Sequence, residues 1–472
     1  MFINKRGDIV LKKIIIIILL LLILSGGLLA WKYFYHKHKV IVIGLDGATW
    51  KFLNPLMKEH KLPNFEKIMK NAAYGELKTT KPTKSAVLWT SIATGKKMEK
   101  HGIVDWTYVS EDAKAKIQRV QLITGKHRTA ATIWEILGKK NYTVGVVNWW
   151  VTYPATPVNG FLISDRLRTA IIKPSIANEK NLVYPPELIN ELKPYLLKPA
   201  NTIPIMMKYG FETYSQEKVE QFFSPSKFFR NMFSQIHLYV GHDQMTANWS
   251  LHMLRKKQPD FFGVVMRITD VYAHLGWKFI DKQYLEDTVP QIKLDSIRSK
   301  DEAVRHKAFK LIHELDQKYA EVMLPAYKFA DDFLGEVMSI ADKNTTIIII
   351  SDHGFMWHGG GYDHNPMIGH SYPDEPPRGI IIMYGKDVIP GKIENANIYN
   401  ITPTILYAFN EPLARDMDGK AIKEAFSDPI FQKRGDKRIA SYGVGPVSSK
   451  AVPTDAAEKE MMEDLKSLGY VQ

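Results

Sequence analysis

Five short runs of apolar, mostly branched residues constrain this chain more than any other feature: Val40–Leu45, Thr143–Val147, Phe261–Met266, Thr346–Ser351 and Gly379–Met383. Each is apolar at consecutive rather than alternate positions, the pattern of a strand buried on both faces, as in parallel sheets covered by helices. Helical patterns lie between them: Asn64–Asn71, Ala86–Thr94 stopped by Gly95, Ala130–Leu137 stopped by Gly138, and Glu302–Ala341, where at least one break is expected. Strands alternating with helices predict an α/β fold with a mainly parallel sheet flanked by helices.

The stretch from Ala155 to Lys257 departs from this rhythm, being rich in Pro, Lys, Phe, Tyr and Met, and is expected as an inserted cap beside the site. The organisation read from the sequence is then a catalytic domain in two parts, residues 39–154 and 258–472, around a cap of residues 155–257. The charged stretch Asp281–His306 reads as an exposed helix–loop insertion. The tail from Ala456 to Tyr470 places Met461, Met462, Leu465 and Leu468 on one side and is expected to dock on the body.

Ahead of the first strand, residues 14–31 are uncharged and rich in Ile and Leu, long enough as a helix to cross about 27 Å of hydrocarbon. Lys5, Arg6, Lys12 and Lys13 precede this run; Trp31, Tyr33, Phe34 and Tyr35 follow it as an interfacial belt. The expectation is a single-pass transmembrane anchor with residues 1–13 cytoplasmic and the catalytic body outside the cytoplasm. A cleaved signal peptide with a secreted product is the alternative, although Leu28 and Ala30 make a poor cleavage site.

Composition narrows the chemistry. The 472 residues include no cysteine, which removes thiolate catalysis, disulfides, zinc fingers and iron–sulfur clusters, so any metal uses oxygen and nitrogen ligands. The net charge of +13 is dispersed along the chain, and no nucleic-acid polymer is expected as a partner. No phosphate-binding P-loop or dinucleotide glycine fingerprint is present.

In open α/β sheets, sites form beyond the carboxyl ends of strands. Asp46 follows the first strand, Asp270 and His274 follow the Phe261 run, Asp352 and His353 follow the Thr346 run, and His370 precedes the Gly379 run. Asp270 and His274 have the i, i+4 spacing that puts two metal ligands on one helix face. Ser85 opens the helical stretch Ala86–Thr94 and sits at its positive end, where a developing anion is stabilised. A serine there is, taken alone, more often an N-cap.

These residues carry a resemblance. The segments IGLDGA (Ile43–Ala48), PTKSAVLWTSIATG (Pro82–Gly95), HGI (His101–Ile103), TDVYAH (Thr269–His274) and SDHGF (Ser351–Phe355), with the later His370, resemble the type I phosphodiesterase/nucleotide pyrophosphatase family of the alkaline phosphatase superfamily. The similarity continues through TPTILYAF (Thr402–Phe409) and MDGKAI (Met417–Ile422). It implies an alkaline-phosphatase-like sheet and two Zn2+ ions, with Mn2+ or Fe as alternatives. One zinc would be held by Asp46, Ser85, Asp352 and His353, the other by Asp270, His274 and His370. Ser85 would be the nucleophile, passing through a phosphoserine intermediate hydrolysed in a second in-line step.

One departure concerns substrate choice. Better-known members usually carry a threonine nucleophile and an asparagine donor shortly after His-Gly-Ile, whereas Ser85 and Val104-Asp105-Trp106 stand here. Lys84, Trp89, Thr90, Trp106 and Arg267 are candidates to compensate. His358 and His364 are spare ligand candidates, His101 reads as a structural turn residue, and Trp149, Trp150 and Tyr153 read as core before they read as a stacking surface. The implied substrate is a small phosphodiester, a phosphoglycolipid or a glycan-linked phosphate. The alternatives are a phosphotransferase to a lipid or glycan acceptor and a non-catalytic envelope binding protein.

Overall fold

The structure is a computed structural model that describes residue 18, residues 38–112, 117–209, 227–276, 299–357, 362–363, 376–426, 437–444 and 455–467, and residue 471. The expected anchor (apart from Ile18), His358, His364, His370 and most of Asp281–His306 lie outside the described residues. Among the described residues no helix is long and apolar enough to cross a membrane.

In chain order the main elements are β1 (Lys39–Leu45), α1 (Trp50–Lys58), α2 (Pro63–Met69), β2 (Ala73–Leu77), α3 (Ser85–Thr94), β3 (Thr107–Asp112), β4 (Ile117–Leu122), α4 (Ile133–Lys139), β5 (Val144–Val147), β6 (Gly160–Ile163) and β7 (Val183–Tyr184). There follow α5 (Lys227–Lys257), β8 (Phe261–Met266), α6 (Ile268–Gly276), α7 (Glu302–Ile340), β9 (Thr345–Ile350), β10 (Gly379–Gly385), β11 (Gly391–Lys392), α8 (Ile401–Ala408) and α9 (Asp455–Ser467). All five apolar runs are strands of one mixed sheet, ordered β11-β2-β10-β9-β1-β8-β5-β6-β7. β1 lies parallel between β8 and β9, and β5 and β6 extend that direction; β10 runs against β9, and β7 against β6.

Alternation along β1 shows why the run is continuously apolar. Ile41, Ile43 and Leu45 belong to one buried cluster with α1, α5 and α7, while Val40 and Val42 belong to another with α3, α4 and α8. Both faces are covered, so each strand side chain contributes roughly 1.5–3 kcal/mol by burial.

Within residues 155–257, β6 and β7 join the central sheet, and α5 buries Ile236, Tyr239, Val240, Met245, Trp249 and Met253. The strands are too short, at four and two residues, to stand out as apolar runs. The helix α7 carries no break: it runs 39 residues through Pro325. Proline there removes the bond to the Glu321 carbonyl, at roughly 3 kcal/mol. The buried stripe Ile312, Leu315, Tyr319, Met323, Ala326, Phe333, Leu334 and Val337 offsets that loss. Over its described part the tail docks as expected, α9 burying Ala457, Met461 and Leu465 with Met462 half-buried; Leu468 lies outside the described residues.

Candidate metal centre

Register brings the carboxyl ends of three adjacent strands level: Leu45 pairs with Met266 and Gly44 with Ile350. Residues just beyond those ends are therefore neighbours in space although they come from three distant parts of the chain. Asp46 leaves β1, Asp270 lies in the first turn of α6 after β8, and Asp352 and His353 follow β9. The turn after β1 is pinned by a 2.5 Å bond from Thr269 Oγ1 to the Asp46 carbonyl and a 3.4 Å contact from Gly47 N to Asp352 Oδ1. Gly47 has φ 71°, and a Cβ there would stand 2.5 Å from the Phe355 ring and 3.0 Å from Asp270 Cα, so no side chain fits.

His353 Nε2 lies 3.4 Å from Asp46 Oδ1, 3.7 Å from Asp270 Oδ1 and 3.7 Å from Asp352 Oδ2. Asp46, Asp352 and His353 each offer a ligand atom, all within 4.8 Å of one another. His274 Nε2 is 3.5 Å from Asp270 Oδ1, the i, i+4 pair closing on itself across one helical turn. Ser85 Oγ donates to Asp46 Oδ1 at 3.4 Å. The structure thus gathers Asp46, Ser85, Asp270, His274, Asp352 and His353; only His370, of the seven, falls outside the described residues.

The cluster is electrically unbalanced. Three carboxylates, each at most 1% exposed, surround one fully buried imidazole. Burial, and then the neighbouring Asp46, push the Asp352 carboxyl well above its ordinary range. Burial alone would lower His353, but Asp352, Asp46 and Asp270 together outweigh it and raise the imidazole to about 10. Asp352 Oδ2 has no hydrogen-bond partner among the described residues. A concentrated set of buried oxygen and nitrogen donors with an unsatisfied carboxylate oxygen fits a divalent cation, which would supply the missing charge.

Two residues of this site were not singled out by the sequence as partners of Asp46. Trp89 Nε1 and Trp150 Nε1 both donate to Asp46 Oδ2, at 3.2 and 2.9 Å. One carboxylate oxygen is held by indoles while the other faces Ser85 and His353. A signal existed for each: Trp89 stands one helical turn after Ser85, and Trp150 lies beyond β5 at the same sheet edge as Asp46.

Of the candidates to replace the missing asparagine, Lys84 Nζ pairs with Asp105 Oδ2 at 2.5 Å, both side chains being partly exposed. Thr90 spends its hydroxyl on the Ala86 carbonyl, Trp106 packs edge-on against Trp150, and Arg267 stacks on the Trp150 ring. His101 is structural: Ile103 N donates to Nδ1, so Nε2 carries the hydrogen and donates to Ser91 Oγ at 2.9 Å. Trp149, Trp150 and Tyr153 are buried.

A buried carboxylate–imidazole cluster at the carboxyl edge of an α/β sheet, with a hydroxyl at a helix start, is the equipment of a metal-dependent hydrolase. Residues 40–377 match the type I phosphodiesterase/nucleotide pyrophosphatase family, and the chain belongs to that family of phosphoester hydrolases. Solved structures similar to this chain include the alkaline phosphatase PafA, 11% identical over 83% of this chain and 99% of that one with a TM-score of 0.49. A 2-O GAG sulfatase is 10% identical over 86% and 76%, TM-score 0.45. Phosphonoacetate hydrolase from Sinorhizobium meliloti is 12% identical over 68% and 57%, TM-score 0.33. No curated protein sequence matches the chain.

Proposed function

We propose that this chain is a membrane-anchored phosphodiesterase in which Ser85 is the nucleophile and two divalent ions, zinc by the chemistry of the ligands, are held at the sheet edge. Asp46, Asp352 and His353 with Ser85 would hold one, and Asp270, His274 and His370 the other. The anchor is the apolar run of residues 14–31, with the catalytic body on the extracytoplasmic side.

The observation that carries the reading is the state of the Ser85 hydroxyl. It lies at the first position of α3, just after the N-cap Lys84, and donates to Asp46 Oδ1 across the sheet edge. Asp46 holds the Ser85 proton on one side, leaving the hydroxyl lone pairs free to meet phosphorus. The indoles of Trp89 and Trp150 keep that carboxylate from rotating. Attack forms the Oγ–P bond as the P–O bond to the leaving alcohol breaks, the Oγ proton passing by way of Asp46 Oδ1 to the leaving oxygen; water then attacks the phosphoserine in line, the P–Oγ bond breaks, and a proton of the water returns to Oγ. When bound, the metal ions supply Lewis-acid stabilisation for the oxygens that gain charge. The positive end of α3 acts in the same direction.

The test is release of p-nitrophenol from bis-p-nitrophenyl phosphate by the soluble chain beginning at Lys39. Zinc-dependent, chelator-sensitive turnover that falls at least ~1,000-fold in Ser85→Ala is the expected result. A folded, zinc-loaded protein that releases nothing overturns the hydrolase reading.

A further inference from the structure

Beside the metal centre, separated from it by one indole, lies a second buried charge cluster that the phosphodiesterase reading does not use. The guanidinium carbons of Arg168 and Arg267 stand 4.7 and 4.3 Å from the Trp150 ring centre, and that same indole donates to Asp46. Arg168 follows β6 and Arg267 follows β8, so both sit at the carboxyl edge of the sheet. They are 0% and 2% exposed. Both bind one carboxylate oxygen, Asp464 Oδ2, at 3.2 and 3.1 Å, while Tyr239 Oη of α5 donates to Asp464 Oδ1.

Three features separate this arrangement from an ordinary ion pair. Two buried guanidinium groups converge on a single carboxylate oxygen, Asp464 Oδ2. Arg168 Nε and Nη1 have no hydrogen-bond partner among the described residues, so the fork offers more donors than the Asp464 carboxylate engages. The donors all lie within residues 40–377, the span of the family match, whereas Asp464 comes from α9 beyond it. The receptor belongs to the catalytic body and its occupant to the tail.

We propose that Arg168, Arg267 and Tyr239 form a phosphate-class oxyanion pocket in which Asp464 is an internal stand-in, so that the C-terminal helix and an external tetrahedral oxyanion compete for the same donors. A phosphate offers four oxygens to the bidentate forks where Asp464 offers two. The anchored helix holds the pocket by its high effective concentration rather than by the better fit. For the activity proposed above, the pocket would receive a second phosphoryl group of the substrate, and this extension alone rests on that reading.

The experiment uses the full chain treated with chelator, so that neither metal nor turnover enters. In Asp464→Asn, inorganic phosphate at constant ionic strength is expected to raise Tm by about 2 °C more than it does in the wild type. Adding Arg168→Met should abolish that difference. Glycerol phosphate serves as a parallel arm: stabilisation by both ligands marks a pocket for substrate-borne phosphoryl groups, and stabilisation by phosphate alone marks a free-phosphate site. Equal response of wild type and Asp464→Asn overturns the proposal. If Asp464→Asn does not fold, hydrogen exchange in the wild type decides: phosphate, against chloride, should accelerate exchange of the α9 amides, and unchanged exchange overturns the competition.

Discussion

Asp46 illustrates how one carboxylate is made to serve as a fixed part. Its Oδ2 accepts from two indoles and its Oδ1 meets Ser85 and His353, so rotation about its last bond would break contacts on both sides. Trp150→Phe keeps an aromatic ring beneath the two arginines but deletes one donor. A hydrogen bond to a charged group contributes roughly 1.5–3 kcal/mol, so kcat should fall about tenfold or more with KM little changed. An unchanged kcat in a folded variant would remove Trp150 from the positioning of Asp46. His101 gives the second prediction at this scale. Burial, with Arg128 nearby, lowers its imidazole to about 3. The folded chain therefore keeps it neutral while the unfolded chain takes up a proton below about pH 6.5, and the stability it contributes is lost as pH falls from 6.5 toward 3. The advantage of wild type over His101→Gln in urea unfolding should shrink by about 1.4 kcal/mol per pH unit across that window. A pH-independent difference would mean that His101 is not held neutral.

Helix α2 cannot cap itself. Leu62 at its N-cap makes no side-chain bond, and Pro63 opens the first turn. Asp331, reaching from α7, supplies the cap: its oxygens accept from Phe65 N at 2.8 Å and Asn64 N at 3.2 Å. The close approach depends on Gly335, where a Cβ would stand 2.7 Å from the Asn64 side chain. Asp331→Ala leaves two helix amides unsatisfied and should cost ~1–3 kcal/mol in denaturant unfolding. No loss of midpoint would show that water replaces the cap. The sequence made the five central strands legible because burial on both faces leaves a run of apolar residues with no interruption. It did not reveal β2, β6, β7 or β11, whose two to five residues, several of them glycine or polar, draw their strand character from the neighbours they pair with. The ligand candidates were legible because Asp and His just beyond a buried strand are out of place in a core. Trp89 and Trp150 were not read as partners of Asp46, since an indole amid apolar residues reads as packing, and these two are also packed.

At the scale of the whole molecule the sheet's carboxyl edge holds two buried charge clusters a ring apart: carboxylates in excess around His353, and two guanidinium groups meeting on Asp464. A chain carrying a net charge of +13 thus concentrates negative charge at one buried point, and a divalent cation is the natural complement. The metal-free cluster compensates with protons: His353 is raised to about 10, and Asp352 is raised well above its ordinary range by burial and Asp46. A metal entering near neutral pH must displace those protons, because a histidine ligand binds as the neutral imidazole and an aspartate as the carboxylate. Metal binding should therefore release at least about one proton, and affinity should rise roughly tenfold per pH unit below the His353 value. Calorimetric zinc titrations in buffers of different ionisation enthalpy measure that release directly. The same loading should raise Tm by several degrees, since the ion binds only the folded cluster. Zinc that binds without proton release, or with an affinity independent of pH, would mean that the ion sits elsewhere and that His353 keeps its proton as a fixed cation among the three carboxylates.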